Sequence, residues 1–182
     1  GRATPSHSGL CIEGVSSSRL TNTARDGTEL ISAGPAHVPI EISSAPDGLR
    51  FQGGHDGWLR THGLTHARTL ELTSDGRGLA GEDMLFAVEE ADKVIFQKAL
   101  ARGVDAGLLF QIRFHLHPEV DAAIDMGGAA ISLALRSGEI WVLRCEPNAE
   151  LSLEPSVYLE TGRLKPRATK QVVLSARAME YA

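Results

Sequence analysis

Residues 65–86 carry the clearest structural signal in the chain, and they begin Thr65-His66-Ala67-Arg68-Thr69-Leu70-Glu71-Leu72-Thr73. Leu70 and Leu72 alternate with polar residues, which is the two-residue period of a half-buried strand. Ser74-Asp75-Gly76 then favours a tight turn, and the run from Leu79 to Phe86 returns with the same alternation. The sequence therefore predicts a β-hairpin over these residues.

The same two-residue alternation extends to most of the chain. Val38 to Ile42 and Leu49 to Gln52 flank the turn sequence Ala45-Pro46-Asp47-Gly48, which predicts a second hairpin. Breaks are predicted at the polar stretch 16–27 and at the glycine-rich run 53–57. Further strands are predicted over 9–13, 108–117, 120–124, 129–135, 140–145, 151–153 and 171–174. About a dozen short strands at regular spacing predict an all-β fold, an antiparallel β-sandwich.

One segment departs from this pattern. Residues 87–107 contain Glu89-Glu90-Ala91-Asp92-Lys93 and Gln97-Lys98-Ala99-Leu100, which favour helix, so we predict a helical insertion there. No repeat or low-complexity tract divides the chain, and 182 residues suffice for one hydrophobic core. We therefore predict a single β domain over residues 1–182.

Composition limits the classes of function. The hydrophobic share is 42% and no apolar run reaches the length of a membrane span, so we expect no membrane span. A net charge of −5 provides no broad cationic field for a phosphate backbone, so nucleic acid is not expected as a partner. Cys11 and Cys145 allow one disulfide at most, and we interpret both as small core residues. The chain begins without methionine or a signal stretch, which we interpret as a processed chain or a piece of a larger one.

Two of the seven histidines are two residues apart in Arg113-Phe114-His115-Leu116-His117. On a strand, His115 and His117 would project from one face about 7 Å apart, close enough to share a zinc ion if a further ligand were present. The alternative, which we favour, is that Phe114 and Leu116 face the core while Arg113 and the two histidines form a polar strand face.

The turn His55-Asp56-Gly57-Trp58 combines hydrogen-bonding groups with an aromatic ring, a mixture suited to sugar binding. The alternative is an ordinary Asp-Gly turn anchored by Trp58. His62 and His66 are four residues apart and, if the segment is a strand as Gly63 indicates, they lie about 13 Å apart, too far to share a metal. His66 and Arg68 would instead share one strand face.

The order of several motifs resembles the C-terminal β domain of bacterial heparinase II/III-like proteins. These motifs are Arg2-x-Thr4-x-x-His7-Ser8, Ser17-Ser18-Arg19, His55-Asp56-Gly57-Trp58, His62-Gly63-Leu64-x-His66-x-Arg68, Gly81-Glu82-Asp83, Arg113-Phe114-His115-Leu116-His117-Pro118, and Tyr158 before Thr169-Lys170-Gln171. The resemblance covers essentially the whole chain.

The resemblance implies a polysaccharide lyase that cleaves uronic-acid-containing glycans by β-elimination. It also implies a substrate cleft between an N-terminal helical toroid domain, absent from this chain, and the β-sandwich. The partners implied are therefore an acidic polysaccharide and that toroid domain, and the compartment implied is the periplasm or cell envelope, with the cytoplasm as the alternative. Neither Tyr158 nor Tyr181 matches the family's catalytic tyrosine.

His7 is the one residue that the resemblance assigns to a metal, as a ligand of a structural zinc in the parent protein. The family's Gly-His-x-His-x-Asp segment, which supplies further ligands and a catalytic histidine, has no counterpart in this chain. We expect the isolated chain to bind zinc poorly and to be catalytically inactive.

Three functional hypotheses follow. The leading one is the β-sandwich domain of a heparinase II/III-like lyase that walls the glycan cleft. Its predicted substrate-binding residues are His55, Trp58, Arg60, His66, Arg68, Arg113, His115 and His117. The second is a non-catalytic glycan-binding or structural β-sandwich module, and the third is a metal-dependent enzyme using His115 and His117.

Overall fold

A computed structural model describes residues 2–22, 29–103 and 107–180 of the chain. These residues fall into two compact units. The first, here called the sandwich unit, consists of residues 3–15 and 109–177. The second, called the sheet unit, consists of residues 16–108 with the residues that follow 177.

The described residues form thirteen strands and two α-helices. In chain order these are β1 (Leu10–Ile12), β2 (Arg19–Asn22), β3 (Glu29–Ala33), β4 (Ile40–Ala45), β5 (Gly48–Trp58), α1 (Leu59–His62), β6 (Leu64–Thr73), β7 (Leu79–Phe86), α2 (Glu90–Leu100), β8 (Leu108–His115), β9 (Asp121–Asp125), β10 (Ala130–Ala134), β11 (Ile140–Leu143), β12 (Glu150–Tyr158) and β13 (Arg167–Ala178). Neither helix is long and apolar enough to cross a membrane.

The sandwich unit packs two antiparallel sheets against each other. One sheet has the order β1-β8-β13-β12 and the other has the order β11-β10-β9. Ala122, Ile131 and Val172 are fully buried between them. Leucines and a phenylalanine from both sheets, with Leu116 just after β8, pack against these three residues: Phe114, Leu116, Leu133, Leu143, Leu151, Leu153 and Leu174.

The sheet unit contains a four-stranded antiparallel sheet, in the order β4-β5-β6-β7, and a separate β2-β3 hairpin. Its long strands are joined by tight connections, as the hairpin signals in the sequence predicted. Trp58, Leu64 and Phe96 are its largest fully buried side chains. The unit thus has apolar packing of its own.

Two helices sit beside this sheet. The single turn of α1 ends at Gly63, whose φ of +67° is the left-handed conformation that glycine adopts without strain. Helix α2 begins with a capping box, in which the Glu89 amide donates to Asp92 Oδ2 at 3.1 Å. The helix that was predicted between residues 87 and 107 is confirmed over Glu90–Leu100.

The antiparallel β-sandwich and both predicted hairpins are confirmed. Three local predictions were wrong. Residues 53–57 do not break the chain, because they continue β5, and the polar stretch 16–27 contains β2. His62 lies in the helical turn α1 and not on a strand.

Candidate functional site

The register of β5, β6 and β7 brings three separated motifs of the sequence into one cluster. His55 lies directly opposite His66, and Arg68 lies directly opposite Asp83. Opposite residues of antiparallel strands share a face of the sheet, so these four side chains project from the same side. We call them, together with Trp58, the histidine cluster.

Asp83 is the acceptor at the centre of this cluster. Arg68 donates from Nε to Oδ1 at 2.9 Å and from Nη2 to Oδ2 at 3.0 Å, a two-pronged pairing. His66 Nε2 lies 2.5 Å from Oδ1 of the same carboxylate. The side chains of Asp83, His66 and Arg68 are 6%, 7% and 12% exposed, so the pairs are almost fully shielded from water.

Burial alone would raise the pKa of Asp83. Hydrogen bonds from His66 and Arg68, with their charges, outweigh burial and lower that pKa. The carboxylate is therefore ionised at neutral pH and compensates the guanidinium of Arg68. His66 Nε2 then acts as the donor to the carboxylate, while its Nδ1 is buried without a hydrogen-bond partner among the described residues.

His55 is electrically neutral in this setting. Burial, then the proximity of His66, lowers the pKa of His55 to about 4, and the nearby Asp56 opposes the shift. The Gly57 amide donates to His55 Nδ1 at 3.2 Å, which leaves the ring proton on Nε2. His55 therefore supplies a hydrogen-bond donor at neutral pH and no positive charge.

The buried ring of Trp58 packs against the rings of His55 and His66. Its ring centroid lies 4.8 Å from that of His55 and 6.1 Å from that of His66. The residue is 0% exposed, so neither face of the indole is open to a sugar. The stacking contact that the sequence suggested for Trp58 is replaced by a packing role, because the bulge in β5 turns the ring inward.

The same sheet borders a groove with a volume of about 650 Å³. Gln52, Thr65 and Thr69 supply amide and hydroxyl groups, and Leu59 and Phe86 supply apolar surface. His55, His66 and Arg68, three of the predicted substrate-binding residues, also border the groove. The volume is in the range of small-ligand sites.

The charged residues bordering this groove are mostly acidic. Glu41, Asp56, Glu89 and Asp92 lie along it, whereas the guanidinium of Arg68 is bound to Asp83. Two of the carboxylates make hydrogen bonds within the fold: Asp56 Oδ1 accepts from the Ala36 amide at 2.8 Å, and Asp92 belongs to the capping box. The groove therefore offers hydrogen bonds to hydroxyl groups and little attraction for a uronate.

The remaining predicted substrate-binding residues lie elsewhere. Arg60 is exposed on α1 of the sheet unit. Arg113 belongs to the sandwich unit, where its Nη1 donates to Glu154 Oε2 at 2.9 Å and its Nη2 donates to Gln111 Oε1 at 2.7 Å. Its side chain is 13% exposed, and its Nε is buried without a hydrogen-bond partner among the described residues.

His115 and His117 do not share a strand face, which corrects the prediction. Strand β8 ends at His115, and His117 lies beyond it with its ring 4.9 Å from that of Tyr158. Both ring nitrogens of His115 are in use, with Nδ1 2.7 Å from Ser156 Oγ and Nε2 3.1 Å from the Pro5 carbonyl oxygen. This arrangement counts against a shared metal ion.

Residues 2–22, 29–103 and 107–180 do not by themselves supply a complete site for the structural zinc. Within them no three His, Cys, Asp or Glu residues form a group that could hold a metal ion. His7 is exposed and follows a short 3-10 turn, with its amide donating to the Thr4 carbonyl at 3.0 Å. Its role as a zinc ligand stays a prediction that requires ligands from outside this chain. Cys11 and Cys145 are free thiols.

Asp83 is the important residue missing from the predicted site. The predicted turn at 74–76 would place residue 82 opposite residue 68, whereas in the structure the turn is longer, with the Thr73 amide donating to the Gly78 carbonyl, and residue 83 opposes residue 68. Tyr181, the second tyrosine considered for catalysis, lies outside the described residues.

Comparisons with known proteins relate the chain to a protein family and to an individual protein. A family model described as "Heparinase II/III-like, C-terminal" matches residues 1–182. FtsZ-localized protein C of Caulobacter vibrioides (strain NA1000 / CB15N) is 35% identical over 144 residues, which are 79% of this chain and 23% of that protein.

Two solved structures share the fold. Heparan sulfate lyase HepC from Pedobacter heparinus matches 97% of this chain and 22% of its own, with a TM-score of 0.64 and 11% identity. A mutant of the same enzyme matches 100% of this chain and 23% of its own, with a TM-score of 0.66 and 10% identity. The chain thus spans less than a quarter of the length of each of these proteins.

Proposed function

Because this chain belongs to the heparinase II/III-like family, matching its C-terminal domain, we propose that it is the β domain of a larger polysaccharide lyase. The proposed substrate is a uronic-acid-containing glycan cleaved by β-elimination. The family match over the entire chain is the observation that supports this proposal. The proposed partner within the same protein is an N-terminal helical toroid domain.

The chemistry of β-elimination needs a group that offsets the uronate charge, a base for the C5 proton and an acid for the leaving oxygen. Two of the predicted substrate-binding residues are poorly suited to these roles. Arg68 is neutralised by Asp83, and His115 has both nitrogens occupied. We therefore propose that the chain shapes and positions a glycan surface, while the reacting groups come from the rest of the parent protein.

Exposed polar residues of each unit would contact the glycan. Arg60 is exposed on the sheet unit, and His117 is exposed on the sandwich unit. His55, His66 and Arg68 contribute indirectly, by holding β5 and β6 in register. A periplasmic or cell-envelope location is part of the proposal, with the cytoplasm as the alternative. A zinc ion held partly by His7 is proposed only for the parent protein.

The test is the ultraviolet absorbance of unsaturated uronide released when the parent protein meets a panel of acidic glycans. We expect product from the parent protein and none from the 182-residue chain alone. Absence of product from every glycan contradicts the lyase proposal. Product from the isolated chain contradicts its assignment as catalytically incomplete.

A second candidate is a non-catalytic module that retains the fold. The observation favouring it is the 35% identity to a protein named for its localisation with FtsZ, compared with 11% to the lyase. A fluorescent fusion of the parent protein tests it. Co-localisation with FtsZ, together with no uronide product, supports this candidate, and a signal unrelated to FtsZ counts against it.

A further inference from the structure

Strand β4 is an open edge of the four-stranded sheet. It is hydrogen-bonded only to β5 among the described residues, and all six of its residues are exposed. Ile40 and Ile42 are 64% and 72% exposed, which is unusual for large apolar side chains on a strand. An exposed apolar edge strand is a template for pairing with another strand.

The hydrogen-bond pattern shows which backbone groups of β4 point outward. The Gly54 amide donates to the Pro39 carbonyl at 3.1 Å, so the Pro39–Gly54 pair is bonded inward. Inward-bonded and outward-facing residues alternate along an antiparallel strand. Glu41 and Ser43 are therefore bonded to β5, while Ile40, Ile42 and Ser44 direct their N–H and C=O groups away from the sheet.

We propose that β4 pairs antiparallel with β4 of a second copy of this chain, about a two-fold axis at Ile42. In this register Ile42 lies opposite Ile42 of the second copy, and Ile40 lies opposite Ser44. All three outward-facing residues then pair with outward-facing residues. Glu41 lies opposite the Ser43 hydroxyl, so the one charged residue of β4 meets a hydrogen-bonding group.

Neighbouring registers are less favourable. An axis at Glu41 places two like charges directly opposite each other, which destabilises a strand pair. An axis at Ser43 moves Ile42 opposite Ser44 and carries Ile40 past the end of the partner strand. The sequence Ile40-Glu41-Ile42-Ser43-Ser44 is therefore self-complementary about Ile42 only.

Pairing of this kind joins two four-stranded sheets into one of eight strands. Ile42 shares its face of the sheet with Leu49, Leu72 and Leu79, all of which are exposed. The apolar surface of each copy would thus become continuous across the axis. A single strand pair is a small interface, so we expect a dissociation constant of about 10–100 μM.

Sedimentation equilibrium of the 182-residue chain between about 1 μM and 1 mM tests the proposal. The mass is expected to rise with concentration from 19.4 kDa toward twice that value. Ile42→Lys is expected to weaken the association at least tenfold, because it places two positive charges at the axis. The matched control is Leu79→Lys, which adds the same charge to the same face at the opposite edge strand and should leave association unchanged.

Amide hydrogen exchange provides a second readout of the register. The N–H groups of Ile40, Ile42 and Ser44 should become protected as concentration rises, while those of Glu41 and Ser43 are protected throughout. A chain that stays monomeric at all concentrations overturns the proposal, as does a dimer that survives Ile42→Lys. The proposal is also overturned if an added extended peptide protects the Ile42 amide from exchange while the mass of the chain does not double. The edge strand would then bind a different partner.

Discussion

Asp83 supplies the negative charge that the histidine cluster requires. It accepts hydrogen bonds from Arg68 and His66 in surroundings where each of the three side chains is nearly inaccessible to water. Removing one partner of a buried ion pair leaves the other charged and unsolvated, which costs far more than the pair itself contributes.

We therefore expect Asp83→Asn to lower the free energy of unfolding by about 3–5 kcal/mol. Urea denaturation followed by circular dichroism measures this change. Glu71→Gln is the control, because Glu71 pairs with Arg50 at the surface, where both side chains are more than half exposed. The control should lose less than about 1 kcal/mol, and equal losses in the two variants would contradict the account of the cluster.

The cluster also predicts how stability depends on pH. The pKa of His55 is about 4 in the folded chain, below the value of about 6.5 expected when unfolded. As pH falls from 6.5 toward 4, the unfolded chain takes up a proton that the folded chain does not, so the folded state loses stability. Below about 4 the lowered pKa of Asp83 adds a further loss, because its carboxylate must be protonated.

His55→Gln should reduce the loss of stability between pH 6.5 and 4, as measured by urea midpoints at a series of pH values. His7→Gln, an exposed histidine, serves as the control and should retain the wild-type slope. A His55→Gln variant with an unchanged slope would show that another group is responsible.

At the scale of secondary-structure elements, Gly63 governs how α1 approaches α2. A Cβ added there would lie 2.0 Å from the Asp92 carbonyl oxygen and 2.8 Å from the Phe96 nitrogen. Both contacts are with backbone atoms of a regular helix, which cannot yield as a flexible side chain can. The glycine is needed for its conformation and also for its lack of a side chain.

Gly63→Ala is expected to destabilise the chain clearly more than Gly76→Ala, as measured by thermal unfolding. Gly76 has almost the same backbone conformation, with φ of +69°, but no atom lies within 4 Å of its added Cβ. The control measures the cost of placing alanine in the left-handed conformation, about 1–2 kcal/mol. Any additional loss of stability in Gly63→Ala then measures the steric contact with α2. Equal losses would mean that α2 moves aside without cost.

The elements differ in how far they could be predicted from the sequence. The β6–β7 hairpin was predictable because alternation and a Ser-Asp-Gly turn agree. The run Gly53-Gly54-His55-Asp56-Gly57 was misread as a break, since glycine usually marks turns. In the sheet, Gly54 is needed where β6 approaches closely, because a Cβ there would lie 2.7 Å from the His66 carbonyl oxygen.

The site was harder to predict than the fold. The spacing correctly predicted that His66 and Arg68 lie on one face of a strand. It carried no information about how deeply their side chains are buried. Burial of Trp58 and the pairing of Arg68 with Asp83 depend on a bulge and on a third strand, and both are tertiary features. Residue type alone therefore suggested a glycan-binding surface, whereas these side chains are largely buried and the charge of Arg68 is balanced by Asp83.

At the scale of the whole molecule, each of the two units contains one of the two tryptophans. Trp141 lies on β11 of the sandwich unit and Trp58 ends β5 of the sheet unit. Single-tryptophan variants can therefore follow each unit by fluorescence.

Ile131→Ala removes a fully buried side chain from the core of the sandwich unit and should cost about 2–5 kcal/mol. We expect the urea midpoint reported by Trp141 to fall more than that reported by Trp58. Coincident shifts at both tryptophans would instead support the prediction that residues 1–182 form a single cooperative domain.

The pairing of β1 with β8 has a consequence for the route by which the chain folds. Leu10 to Ile12 align with Ile112 to Phe110, so two adjacent strands are separated by about 100 residues of intervening chain. Closing so long a loop is entropically costly while the intervening residues are disordered, and cheaper once they have compacted. The sheet unit is therefore expected to acquire structure before β1 docks, which makes the first dozen residues the last to be protected during refolding.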